Sequence, residues 1–162
     1  LMVPGQVTII PNFLLMSLFG WVNSYFALII PAAFTAFGTF LLRQFFLTIP
    51  AELEQAARID GCGYLGIYRY VILPLSGPAL ATLAIFSFMA QWNSFLWPLI
   101  VTNSDDFRTL TVGLSYFQDE YATQFNYMMA GSVMNVIPIL VVFLFLQRYF
   151  VRGIALTGIT GR

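Results

Sequence analysis

An all-α, polytopic membrane helical bundle is the fold class this sequence predicts, on three observations. Of the 162 residues 59% are hydrophobic and 9% charged, whereas a soluble domain carries about a quarter charged residues. Aromatic residues make up 17%, and the mean hydropathy is +0.82. Long charge-free runs recur along the chain, and roughly 20 such residues in a helix span about 30 Å of hydrocarbon. So little charge cannot cover a water-soluble globule of this size.

Four membrane segments are expected, at about 4–20, 25–47, 75–102 and 127–147. The first is short and holds Pro11, so its helix is expected to be kinked or incomplete. A polar, turn-prone stretch, Gly20-Trp21-Val22-Asn23-Ser24, parts it from the second. Small residues on two helices (Pro31, Ala32, Ala33, Ala36 and Gly38; then Ala130, Gly131 and Ser132) suit close backbone packing.

The loops carry the charge. Arg43, Arg58 and Arg69 face Glu52, Glu54 and Asp60 in one, and the tail has Arg148, Arg152 and Arg162 with no acid. The stretch 103–126 has only Arg108 against Asp105, Asp106, Asp119 and Glu120. Positive residues near helix ends mark the cytoplasmic side. The loop at 48–74 and the tail 148–162 are therefore read as inside, and 103–126 as outside. Two crossings separate the two inside regions, so the count and the charge agree.

Several chemistries are excluded. The chain has no Lys and no His, so it cannot form a Walker-type phosphate loop or use His-based acid–base catalysis. A lone cysteine, Cys62, offers neither an internal disulfide nor a zinc site. Net charge zero argues against nucleic acid. No catalytic residue, metal site or cofactor is predicted. The opening Leu1-Met2 shows no charged leader region.

The inner loop is organised. Thr48-Ile49-Pro50-Ala51-Glu52 reads as a helix start, with Pro and an acid at the positive end of the dipole. Glu54 and Arg58 stand four apart in the favourable order. Gly61-Cys62-Gly63 ends that helix, and a second short helix from Tyr64 to Tyr70 leads back to the membrane. Ala56 and Ala57 would form an outward ridge with room for a partner's side chains. Pattern alone fits equally a knob in another protein's groove and a hairpin lying on headgroups.

Gln55-Ala56-Ala57, three residues, Gly61, nine residues and Val71-Ile72-Leu73-Pro74 keep one spacing throughout. The loop resembles that of the permease subunits of binding-protein-dependent ABC importers: Glu-Ala-Ala, three residues, Gly, nine residues, Ile, any residue, Leu-Pro. Gln55 replaces the leading acid, which Glu54 could partly replace, and Val71 replaces Ile. The stretch Gln91-Trp92-Asn93-Ser94-Phe95-Leu96-Trp97-Pro98-Leu99 and the tail Arg148-Tyr149-Phe150-Val151-Arg152-Gly153 look like the carbohydrate-uptake branch. More narrowly, the chain is similar to the maltose-type and glycerol-phosphate-type second permease subunit, from about Val7 onward.

The resemblance implies one transmembrane domain over 1–162, part of a longer one with further helices before it. It implies a bacterial or archaeal cytoplasmic membrane, multi-pass, with the C-terminus inside. The implied partners are separate P-loop ATPase subunits, a second permease of the same or another kind, and an extracytoplasmic solute-binding protein. Glu54, Gln55, Ala56, Ala57, Arg58, Asp60, Gly61, Leu73 and Pro74 would make the coupling loop, seated on the ATPase.

Gln91, Trp92, Asn93 and Asn135 are the candidate substrate pathway. Amides and aromatic faces suit a neutral sugar, although the same groups serve helix–helix hydrogen bonding. Gln91 and Asn93 point about 200° apart on a helix, so both cannot line one path. Trp97 lies close by. The competing readings are a permease for a peptide, amino acid or phosphate, a small channel or scaffold, and a membrane-embedded enzyme. A channel needs polar rings along its pore, and no helix here shows such a face.

Overall fold

The computed structural model describes residues 4–117 and 125–157. Among them every regular element is helical. In order these are α1 (Ile9–Leu18, after a 3-10 turn at Gly5–Thr8), α2 (Tyr25–Ala33), α3 (Ala36–Phe46), α4 (Ala51–Ile59) and α5 (Tyr64–Ile67). A π-wound turn, Tyr68–Ile72, leads to α6 (Leu73–Leu75), then α7 (Gly77–Trp92), α8 (Leu96–Val101), α9 (Leu110–Ser115) and α10 (Phe125–Thr157). Asp119, Glu120, Arg162 and the side chains of Arg148 and Arg152 lie outside the described residues.

Two stretches, Tyr25–Phe46 and Phe125–Phe145, are long and apolar enough to cross a membrane. A third arises if the bent pair Tyr64–Leu75 and Gly77–Trp92 counts as one span. Two of the four expected segments are not single long helices. Gly5–Leu18 is apolar but short of a crossing, since each helical residue rises only about 1.5 Å. The segment expected at 75–102 is not one helix: it breaks between Trp92 and Leu96, where Asn93 and Ser94 precede Phe95. Only 11% and 6% of the two long windows are buried, so lipid or other helices must cover their apolar faces.

The chain divides into two compact units. The first holds residues 4–35 and 88–141. Its core is Met16, Ala27 and Val101, wrapped by Phe13, Trp21, Val22, Leu28, Trp97 and Ile100. A Schellman turn closes α1: the Gly20 N–H donates to the Ser17 carbonyl and the Trp21 N–H to the Met16 carbonyl, with Gly20 at φ +67°. Asn23 then takes φ +59°. Its Oδ1 accepts from the backbone N–H groups of Asn103 and Ser104 and from the Ser104 hydroxyl, at 2.8–3.1 Å. That one amide fastens the turn after α1 to the turn after α8.

Proline shapes the same unit. Pro31 stands inside α2 and has no N–H, so the Ala27 carbonyl loses its helical donor. The Trp97 indole N–H supplies one instead, 2.9 Å away. Pro138 interrupts α10 likewise, and the Trp92 indole N–H donates to the Asn135 carbonyl nearby, at 2.9 Å. The Thr111 hydroxyl donates to the Trp92 carbonyl at the open end of α7. A side chain at Gly131 would run into Leu114, so this glycine lets α9 and α10 approach closely.

The second unit holds residues 36–87 and the chain from 142. Phe37 meets Phe86 edge-on, centroids 5.8 Å apart, tying α3 to α7 above the buried Ile85. Ser76, also buried, donates its hydroxyl to the Ile72 carbonyl at 2.6 Å. There the chain bends by 73° between Leu75 and Gly77. The π-wound turn sits just before Pro74, where a widened turn accommodates a ring that would crowd the carbonyl four residues back.

Candidate functional site

The hairpin of α4 and α5 forms from local rules. Pro50 stands at the N-cap, and Glu52 and Glu54 occupy the first turn. Arg58 Nη2 donates to Glu54 Oε1 at 2.6 Å, and its guanidinium lies 5.1 Å from the centre of the Tyr64 ring across the turn. The stop is again a Schellman motif. The Gly61 N–H donates to the Arg58 carbonyl and the Cys62 N–H to the Ala57 carbonyl, with Gly61 at φ +84°. An L side chain there is strained, which accounts for glycine.

One expectation is corrected. Ala57 does not share an outward ridge with Ala56: it is buried, 8% exposed. The cause is the turn itself, which folds the chain back over the residue whose carbonyl receives the Cys62 N–H. Ala56, Gln55 and Asp60 are exposed. So are Ile59 at 86%, Tyr64 at 79% and Leu65 at 84%, an apolar set around the turn. Leu73 and Pro74 are exposed at the far end of the hairpin.

The membrane-side candidates separate. Gln91 lines a cleft of about 350 Å³ in the first unit, with Leu28, Ile29, Ala32 and Ala33 of α2, Ser94, Trp97 and Pro98, and Thr109. A second cleft of about 180 Å³ shares Ala32, Gln91, Ser94 and Trp97 and adds Gly5, Thr8, Ile9, Asn12 and Pro31. Trp92, Asn93 and Asn135 line neither. The Trp92 N–H is spent on the Asn135 carbonyl, and the Asn93 amide turns back to the Met89 carbonyl at 2.8 Å. The Asn135 Oδ1 is buried without a partner among the described residues.

Ser94, Asn12 and Thr109 were not singled out from the sequence. An amide in the first apolar segment, Asn12, was the legible signal, since polar side chains within a membrane usually face the protein interior. Ser94 and Thr109 carry no such mark; their place is set by the break after α7 and the path of the chain after α8.

Proline-interrupted apolar helices, two of them long enough to cross a membrane, and an exposed, capped hairpin between apolar stretches define the chain as a helical membrane protein. Residues 1–156 match the family described as binding-protein-dependent transport system inner membrane component, and the chain belongs to that family. It is 44% identical over 161 residues to the arabinooligosaccharides transport system permease protein AraQ of Halalkalibacterium halodurans, covering 99% of this chain and 58% of that protein. Identity is 40% over 159 residues with the sn-glycerol-3-phosphate transport system permease protein UgpE of Brucella abortus, at 97% and 56% coverage. Among solved structures, a chain of a bacterial ABC transporter involved in the import of the acidic polysaccharide alginate superposes with TM-score 0.77 and 30% identity. That match covers 87% of this chain and 55% of the other. The chain thus spans a little over half the length of the relatives it matches.

Proposed function

We propose that the chain is the membrane-spanning part of a permease subunit in an ATP-driven ABC importer for a sugar or sugar-like solute. The observation that carries this reading is the capped hairpin of residues 51–75. Its Gly61 turn has the left-handed geometry a rigid reversal needs, and Ile59, Tyr64 and Leu65 stand exposed around it. Exposed apolar groups on a rigid, charged hairpin suit a protein groove. Family membership supports a separate P-loop ATPase as the owner of that groove, with a second permease and an extracytoplasmic binding protein as the further partners this reading expects.

In this reading the hairpin and the C-terminal tail are cytoplasmic, and the acidic stretch around Asp105 and Asp106 faces outward. Movement of the ATPase pair pushes on Gln55 to Gly61 and, through the bend at Ser76, on α7. Coupling requires only that the ATPase bind the hairpin differently in the inward-open and outward-open states. Sugar transport is favoured over other solutes by the relatives and by the amide and indole groups around Gln91.

Gentle detergent extraction of the full-length protein from its own membranes, with mass identification of co-purifying subunits, tests this. A phosphate-loop ATPase together with a second permease is expected. A chain recovered alone, or only as copies of itself, would refute the coupling role and favour a scaffold. Ala56→Trp, at an exposed site on the hairpin, is expected to release the ATPase while the permease stays folded.

A further inference from the structure

The common causes of a helix kink gather between Tyr68 and Gly77. Sharp bends arise at π-wound turns, at proline and at Ser–Gly pairs. Here Tyr68–Ile72 is π-wound, with the Leu73 N–H reaching back to the Tyr68 carbonyl. Pro74 follows, and Ser76-Gly77 stands at the 73° bend. The backbone nevertheless stays close to helical. Ser76 has φ −80° and ψ 2°. Its N–H donates to the Ile72 carbonyl at 3.0 Å, and its own carbonyl accepts from the Leu80 N–H at 2.9 Å. The helix is folded over here rather than ended.

Little but Ser76 favours the bent form. Pro74 and Pro78 lack the N–H that would bond four residues back, so bending or straightening changes few backbone hydrogen bonds. The buried Ser76 hydroxyl donates to the Ile72 carbonyl, a back-bond that bends helices. Gly77 is the second observation. Gly20 and Gly61 are required by the left-handed turns they make. Gly77 has no left-handed φ, and a Cβ there would meet nothing within 4 Å. Alanine would be the better helix former at that place, so the bent form makes no use of the freedom glycine gives it.

We infer that Ser76-Gly77 is a hinge, at which the helix leaving the hairpin opens and closes against α7. The π-wound turn beside it, wider by one residue than an α turn, takes up the accompanying twist. The inference deepens the permease reading and rests on it: movement of the hairpin becomes a change of bend angle instead of passing rigidly into α7.

The test uses the assembled full-length transporter in liposomes. Cys62→Ser removes the native thiol, and spin labels go on Tyr68→Cys and Ala84→Cys, both exposed positions eight residues from Ser76. At about 1.5 Å per residue, the labelled positions lie about 19 Å apart at the observed bend and about 24 Å apart in a straight helix. Label distances without nucleotide and after trapping with ATP and vanadate are expected to differ by up to about 5 Å. Gly77→Ala should lose most of that difference while the unfolding temperature holds or rises, a split that a merely structural glycine would not produce. Ser76→Ala should lengthen the distance in whichever state is shorter. Equal distances in the two nucleotide states overturn the inference, as does the full difference persisting in Gly77→Ala. Recovery of the ATPase in the same samples separates these outcomes from failure of the permease reading itself, which would show as its absence.

Discussion

The helix ends at Gly20 and Gly61 are built alike and used differently. Each places glycine at positive φ, and each repeats the same two backbone hydrogen bonds, from the glycine to three residues back and from the next residue to five back. After Gly20 comes Trp21, which packs with Met16 into the core of its unit. After Gly61 comes Cys62, and the turn leaves Ile59, Tyr64 and Leu65 exposed. The same local geometry thus seats an indole in a core in one place and, in the hairpin for which we propose a docking role, leaves Ile59, Tyr64 and Leu65 exposed. The residue after the cap, and the surface across from it, decide the role.

The largest expected effect breaks the packed corner. Trp97→Ala should destabilise the full-length protein by about 3–5 kcal/mol, as large core truncations do, read from its unfolding in detergent. Trp97→Phe removes mainly the bond to the Ala27 carbonyl and should cost about 1–3 kcal/mol. Adding Pro31→Ala gives that carbonyl a helical N–H again, so the double variant should recover most of the loss. A strictly additive cycle would show that the indole–proline pairing carries no energy.

Next comes the latch beside Gly20. Asn23→Ala forfeits three accepted hydrogen bonds and keeps a left-handed backbone, at a cost of about 2–3 kcal/mol. Asn23→Asp keeps the acceptor and should cost clearly less in the same unfolding assay.

The two glycines give the direct comparison. Gly20→Ala and Gly61→Ala each force an L side chain into left-handed backbone, at about 1–2 kcal/mol. The Gly20 change should appear as lower global stability. The Gly61 change should leave unfolding nearly unmoved and reduce recovery of the ATPase instead. Equal losses of stability with no change in partner recovery would erase the proposed difference between the two ends. The smallest effect is expected at the Glu54–Arg58 pair, which is about half exposed on both sides. Glu54→Gln should cost no more than about 0.5 kcal/mol, measured against the other variants under one set of conditions.

The hairpin was legible because each of its determinants is local: Pro50 at the start, the Glu54–Arg58 spacing, and glycine at the stop. Such features act within a few residues and need no tertiary context. The burial of Ala57 was not legible, because it depends on where the reversed chain comes to lie. Nor was the separation of the four pathway candidates. Gln91 reaches the clefts, Trp92 and Asn93 donate to helix carbonyls, and the Asn135 Oδ1 is buried without a partner among the described residues; one helical periodicity cannot tell these uses apart.

By itself the sequence determined an all-helical membrane protein, since so few charged residues leave no other solvent for its surface, and a capped hairpin between apolar stretches. It also determined that Pro31 has no N–H to give, wherever it sits. Only the tertiary structure decided that Trp97, seventy positions from Ala27, would donate to the Ala27 carbonyl, and that its ring would border a cleft. A backbone group's need is written in one residue; the partner that meets it depends on how the whole chain packs.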